Sequence, residues 1–289
     1  MTTLWRSHAT KLGELLAKEQ NIISLPVKPV NIAENMDIVV EPLPPRNKGV
    51  SGMLVESNNN FGILYATYID NIGFQNFCIG HELAHYKIPG HYEQLLIDGC
   101  HESHAGFTSN DKYELEADHF SAGLLMPSYL FDTVLNKVQS GLEAVEILSE
   151  KCETSLTATA IRYAQRSPDP VTIVVSEGQI IKYCFMSDKM KGIKGLSWIK
   201  KNTLLPRKSA TYSFNNLKIN VLKGNRTEGE ATLLDWFGSN LQYELYEEII
   251  GLGSYGKTLT VLSIDALPDQ EEIDEEEELI ESWTPRFKR

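Results

Sequence analysis

The sequence predicts a mixed α+β protein, on three observations. Short β-like runs over 53–55 and 62–68 lead into a helix around residue 81, helical spacing fills 128–167, and strand patterns take over after 168. With 289 residues, 42% of them hydrophobic, the chain can bury two or three cores.

From the N-terminus, Leu4, Trp5, Leu12, Leu15 and Leu16, interrupted by Arg6, Lys11, Glu14 and Lys18, predict an amphipathic surface helix rather than a signal peptide. No apolar run approaches the roughly 18 residues of a membrane span. Pro42 to Gly49 marks a loop. Met53-Leu54-Val55 and Gly62 to Tyr68 then read as strands joined through Asn58-Asn59-Asn60. The segment 61–68 is expected at a sheet edge, where an extended substrate backbone can add as a further strand. Residues 86–113, rich in Gly, His and Ser, are expected to form a loop over a cleft.

His81-Glu82-Leu83-Ala84-His85 carries the chemistry. On a helix the two histidines project from one face, one turn apart, so both imidazoles can grip one metal ion. Glu82 beside them can take a proton from the attacking water. Catalytic zinc usually has three protein ligands, so a third should follow downstream. Glu114 fits: it lies four residues before Asp118, on the same face of a helix that should end before Pro127. Asp118 can then accept a hydrogen bond from a ligand imidazole, and Glu116, on the far side, is expected to face solvent. His91 stands at the spacing of a rival third ligand. That pattern needs a glycine at the midpoint, and Ile88, β-branched, adopts the required left-handed turn poorly. His101 and His104 are expected to line the cleft or cover the helix. Tyr65, Tyr68, His91, His101, His104 and Tyr113 all remain open as the donor to a developing oxyanion.

Leu130, Val134 and Val138, then Leu142, Val145 and Leu148, then a stretch from Ser155 to Gln165 predict three short helices, resembling a helix-turn-helix. Arg162 and Arg166 could face phosphates. Yet 128–167 holds four bases against five acids, whereas DNA binders show a basic face, so direct DNA binding is not expected.

After Pro170, Val171–Ser176 and Gln179–Phe185 flank Glu177-Gly178 as a hairpin. Leu241–Ile250 is expected to be a helix and Leu259–Ile264 a strand. Gly251 to Thr258 satisfies the phosphate-loop pattern, but that loop must lead into a helix, and a strand is expected there instead. Cys78, Cys100, Cys152 and Cys184 are scattered, as free thiols in a reducing cytoplasm would be. The net charge is −12, but 269–281 alone holds nine acids and no base, so the acidity is mostly a tail over 268–289, expected to be solvated.

His81-Glu82-Leu83-Ala84-His85 together with Glu114 to Pro127 resembles the ImmA/IrrE family of zinc metallopeptidases, supported by Ser51 to Val55 and, more weakly, by Trp283 to Phe287. The match is best over 1–127. The resemblance implies a zincin-like metallopeptidase domain at 1–127, a helix-turn-helix-like segment at 128–167, a GAF-like sensor domain at 168–267 and the acidic tail beyond. It implies His81, His85 and Glu114 as zinc ligands and Glu82 as catalytic base, in a cytoplasmic enzyme. The substrate it implies is a helix-turn-helix repressor, whose cleavage releases stress-response or mobile-element genes. Manganese or iron could occupy the same nitrogen–oxygen ligand set. Two other classes are consistent with the residues: a metal-binding regulator that acts on a repressor or toxin without proteolysis, and a DNA-binding transcriptional regulator.

Overall fold

The protein is described by a computed structural model over residues 4–44, 49–96, 99–104, 111–239 and 243–264. The chain divides into two compact units, Met1–Ser167 and Pro168–Arg289, and the fold is mixed α+β throughout.

In the first unit, α1 (Leu4–Glu19) and α2 (Pro29–Glu34) are followed by β1 (Val39–Pro42), β2 (Gly52–Ser57), β3 (Asn60–Tyr65), α3 (Ile72–Lys87), α4 (His91–Leu95), β4 (Cys100–Ser103) and α5 (Lys112–Leu125). The sheet order is β1-β3-β2-β4, with β1 parallel to β3 and the other pairs antiparallel. The β2–β3 hairpin turns at Asn58 and Asn59, both left-handed, a conformation asparagine tolerates. The segment expected at the edge is therefore interior. Val39 and Val40 supply a parallel neighbour too short to register as a strand in the sequence, and the edges among the described residues are β1 and β4. The stretch 86–113 is also more ordered than a loop, since it holds the end of α3, α4 and β4; residues 97–98 and 105–110 lie outside the described set.

Helix α3 is the centre of this unit. The Asn71 side chain caps it by accepting from the Phe74 amide at 2.9 Å, and it ends at Ile88, ahead of Pro89. Its Ile79, Leu83 and Ala84 are buried with Leu54 and Ile63 of the sheet and Phe120 and Leu124 of α5. Each such large apolar side chain contributes about 1.5–3 kcal/mol through burial. Helices α1 and α5 meet backbone to backbone: a Cβ on Gly13 would lie 2.1 Å from the Phe120 carbonyl oxygen, and one on Gly123 would lie 2.1 Å from that of Thr10. Only glycine fits at either position, and the contact anchors the helix that carries Glu114.

The three expected helices form as α6 (Ser128–Leu135), α7 (Leu142–Cys152) and α8 (Leu156–Arg166). They belong to the first compact unit. Arg162 is buried, donates to the Met126 carbonyl at 3.1 Å and pairs with Glu14 of α1; Glu14 also accepts from Ser128 Oγ at 2.8 Å. Arg166 pairs with Asp132. Both arginines are thus committed within the unit.

The second unit contains β5 (Val171–Glu177), β6 (Ile180–Met186), α9 (Asp188–Gly192), α10 (Ala210–Asn215), α11 (Lys218–Leu222), β7 (Arg226–Thr232), α12 (Leu233–Phe237), β8 (Glu244–Gly251) and β9 (Thr258–Ser263). The strands form one antiparallel sheet in the order β6-β5-β9-β8-β7. The helix expected over 241–250 is instead β8, with 241–242 outside the described residues. Leu245, Glu247 and Ile249 are buried on alternate positions between two flanking strands, and Glu247, an acid pointing inward, masks that period of two in the sequence. A short 3₁₀ turn, Gly253–Tyr255, then leads into β9. The phosphate-loop pattern fails because no helix follows it, although a strand, rather than a helix, precedes it.

Candidate metal centre

Helices α3 and α5 bring His81, His85 and Glu114 together, with one ligand atom from each lying within 4.8 Å of the others. The two histidine Nε2 atoms are 3.0 Å apart; Glu114 stands 3.3 Å from His81 Nε2 through Oε2 and 3.4 Å from His85 Nε2 through Oε1. A tetrahedral ion bound at 2.0–2.1 Å holds its ligand atoms about 3.3 Å apart. The donor set and its spacing therefore fit such an ion.

The residues behind the triad hold its imidazoles by their other nitrogens. Asp118, one turn beyond Glu114, lies 3.0 Å from His81 Nδ1. His85 Nδ1 lies 3.2 Å from Nδ1 of buried His91, whose Nε2 lies 3.1 Å from Glu116 Oε2. Glu116 thus does not face solvent; its side chain is 13% exposed and also meets Lys112. The helical-wheel reading failed because α4 folds back and presents His91 to that side of α5. His91 accordingly lies outside the triad, against the far nitrogen of His85. His101, on β4, donates toward Glu114 Oε1 at 2.9 Å, its ring 4.7 Å from that of His85. Four residues of strand were too few to single it out from sequence. His104 is exposed.

Proton positions follow from burial. Desolvation lowers His85 to about 3, outweighing its contact with Glu114, and lowers His91 against the pull of Glu116. Both rings are neutral near pH 7. His91 then donates Nε2–H to Glu116 and accepts from His85 Nδ1–H, which leaves the His85 Nε2 lone pair facing the triad. Burial also disfavours charge on His81, but bonds to Asp118 and Glu114 overcome it and raise its value to about 10. Burial pushes Glu114 up, yet His101, His81 and His85 together hold it well below the usual carboxylate range.

Glu82 is different. It is wholly buried, and neither carboxylate oxygen makes a well-formed hydrogen bond among the described residues; the neighbouring Ser103 hydroxyl, itself without a well-formed bond, favours the charged form only weakly. Burial raises it from 4.5 to about 7, partly offset by the charge on His81. Buried unsatisfied carboxylates are rare and point to a missing polar partner, such as a water or a substrate group. Gly52 of β2 makes the space: a Cβ there would lie 2.4 Å from Glu82 Oε1.

Residues 33–163 match the family model described as Peptidase_M78, IrrE N-terminal-like domain. A search of curated proteins gives no match. Among solved structures, a Mycobacterium tuberculosis transcriptional regulator is similar at a TM-score of 0.57 and 10% identity, over 89% of this chain and 76% of that one. At that identity the likeness concerns the fold alone. Among the described residues no helix is long and apolar enough to cross a membrane.

Proposed function

We propose that this chain, whose residues 33–163 match the IrrE N-terminal-like Peptidase_M78 model, is a zinc-dependent endopeptidase. Its substrate is an extended stretch of protein, and the candidate is a helix-turn-helix repressor whose cleavage derepresses stress-response or mobile-element genes. The observation that carries this is the wholly buried Glu82, without a well-formed hydrogen bond, beside a His81–His85–Glu114 cluster compact enough to hold one ion.

His81, His85 and Glu114 would hold the ion, with Asp118 and the His91–Glu116 pair fixing the two imidazoles. A bound zinc ion supplies Lewis acidity, polarising the scissile carbonyl and making water acidic enough to react near neutral pH. Glu82, its carboxyl already tuned toward 7, takes the proton from the attacking water and returns it to the leaving amine. His101 donates to the oxygen that becomes negative in the transition state. Strand β4, an edge among the described residues, brings His101 to the site and offers its open side to an extended backbone in place of β3. The second unit has the role of a GAF-like sensor. Binding to duplex DNA through α6–α8 is disfavoured, because Arg162 and Arg166 already pair with Glu14 and Asp132.

Co-expression of the chain, wild type and Glu82→Gln, with a candidate repressor tests this. The expected result is a discrete repressor fragment with the wild type only, at equal metal content in the two proteins. A repressor cleaved equally by Glu82→Gln would overturn the assignment of the base. An intact repressor bound equally by both metal-loaded proteins would favour a regulator that acts without proteolysis.

A further inference from the structure

The second unit carries a basic surface that the peptidase chemistry does not use. Residues 188–208 hold seven bases, Lys189, Lys191, Lys194, Lys200, Lys201, Arg207 and Lys208, against the single acid Asp188, in a chain of net charge −12. All seven are exposed. Asp188 is engaged by Lys191 at 2.8 Å, so it does little to neutralise the rest. Lys201 and Lys257 both stand over the ring of Tyr183, adding a further cation to this side.

The same segment borders a groove of about 340 Å³ lined by Trp198, Ile199, Lys200, Leu204, Pro206 and Trp236. Trp198 is 54% exposed and Leu204 66%. Such large apolar side chains set among lysines form a surface suited to an acidic segment that also carries apolar residues. Asp235, also on the groove, is turned back to cap α12 through Thr232.

The chain itself contains such a segment. Residues 269–281 bear nine acids and no base, with Leu279, Ile280 and Trp283 at their end. The last described residue, Ile264, is buried in the same apolar cluster as Ile199, Trp236 and Phe237, which line the groove. The described chain therefore ends in the apolar cluster that also supplies residues to the groove. The residues from there to Asp269 can span roughly 17 Å when extended.

We propose that the acidic segment 269–283 docks intramolecularly on the basic surface of 188–208, its carboxylates meeting Lys200, Lys201 and Arg207 while Leu279, Ile280 and Trp283 cover Trp198 and Leu204. Docking would neutralise the patch and shield its apolar residues from other acidic partners.

Carbodiimide cross-linking of the full chain, read by peptide mass spectrometry, tests this. The expected result at low salt is intramolecular links from carboxylates of 269–281 to Lys194, Lys200 and Lys201, in monomeric protein. Their yield should fall at least about fivefold in 1 M salt, where screening acts within roughly 3 Å. Lys200→Gln with Lys201→Gln alters exposed positions only, so the fold should persist, and links to Lys194 should weaken alongside. Links that join two molecules, or that spread equally over Lys11, Lys18 and Lys137, would overturn the proposal. So would links that persist unchanged in high salt, or the absence of any link from this segment.

Discussion

Among the described residues each unit buries one glutamate completely, and the two are built in opposite ways. Glu247 of β8 accepts from Trp236 Nε1 at 3.1 Å, from the Thr211 amide at 3.0 Å and hydroxyl at 2.8 Å, and from the Ala210 amide at 3.3 Å. Its charge ties α10 and α12 to the sheet. Glu82 of α3 is equally buried and has none of these partners. A carboxylate surrounded by donors is a structural tie, since its charge is already balanced in the folded state. A carboxylate walled in by Gly52, with only the Ser103 hydroxyl nearby and no well-formed bond, has its charge left largely unbalanced. Burial alone therefore does not distinguish the two acids; the number of donors around each does.

The contrast breaks most sharply under removal of each acid. Glu82→Gln should lower kcat by about 10²–10⁴-fold with metal content intact, whereas Glu247→Gln should leave kcat of the folded protein near wild type. Conversely, Glu247→Ala should destabilise the second unit by about 3–5 kcal/mol, because its donors lose their only charged acceptor. Denaturant melts beside single-turnover assays would show whether the two effects separate in this way. A loss of cleavage without unfolding on Glu247→Ala would erase the distinction.

Gly52→Ala probes the wall rather than the acid. The added methyl must push the Glu82 carboxylate aside, so kcat should fall about 10- to 100-fold while metal affinity holds, since a displacement of this size is enough to misplace a reacting group. His91→Phe acts on the other side of the triad. It removes the acceptor for His85 Nδ1–H and should weaken metal binding about 10- to 100-fold, measured by competition with a chromogenic chelator. Glu116→Gln retains an oxygen for His91 Nε2–H and should have the smaller effect of the two; equal losses would show that charge, not ring orientation, is what Glu116 provides.

A separate effect, read as stability and not as activity or metal affinity, concerns the metal-free protein. The Glu82 carboxyl titrates at 4.5 when unfolded and about 7 when folded. Between those values the unfolded chain releases a proton that the folded one keeps, so this residue's contribution declines as pH rises through the window and levels off above 7. Glu82→Gln does not titrate. It should therefore match the wild type's pH trend below pH 4 and gain relative stability above pH 7, by something on the order of 3 kcal/mol. A mutant that loses stability with rising pH relative to wild type would show that the His81 charge outweighs burial at Glu82.

Much of the site could be read locally. His81, Glu82, His85, Glu114 and Asp118 follow from the four-residue spacing of a helix, and the structure brings His81, His85 and Glu114 into one cluster with Asp118 behind His81. The hairpins at Asn58-Asn59-Asn60 and Glu177-Gly178 were equally legible, because turn chemistry is local. Glu116 was misjudged because a helical wheel describes one helix and not what packs on it. Leu241 to Ile250 was misjudged because two adjacent acids and scattered apolar residues suit a helix as well as a strand, and the choice fell to pairing with β7 and β9.

The sequence by itself determined the helices of the first unit from α5 to α8, the two hairpins, the spacing of His81, His85 and Glu114, and the imbalance of charge between 188–208 and 269–281, all of which are set by spacing and composition along the chain. The tertiary structure alone decided which strand stands at the sheet edge, that His91 and Glu116 support His85, that Gly52 walls in Glu82, and that Glu247 is a satisfied tie. Those depend on which surfaces meet across long sequence separations. Burial and partnership are properties of that meeting, and no local period encodes them.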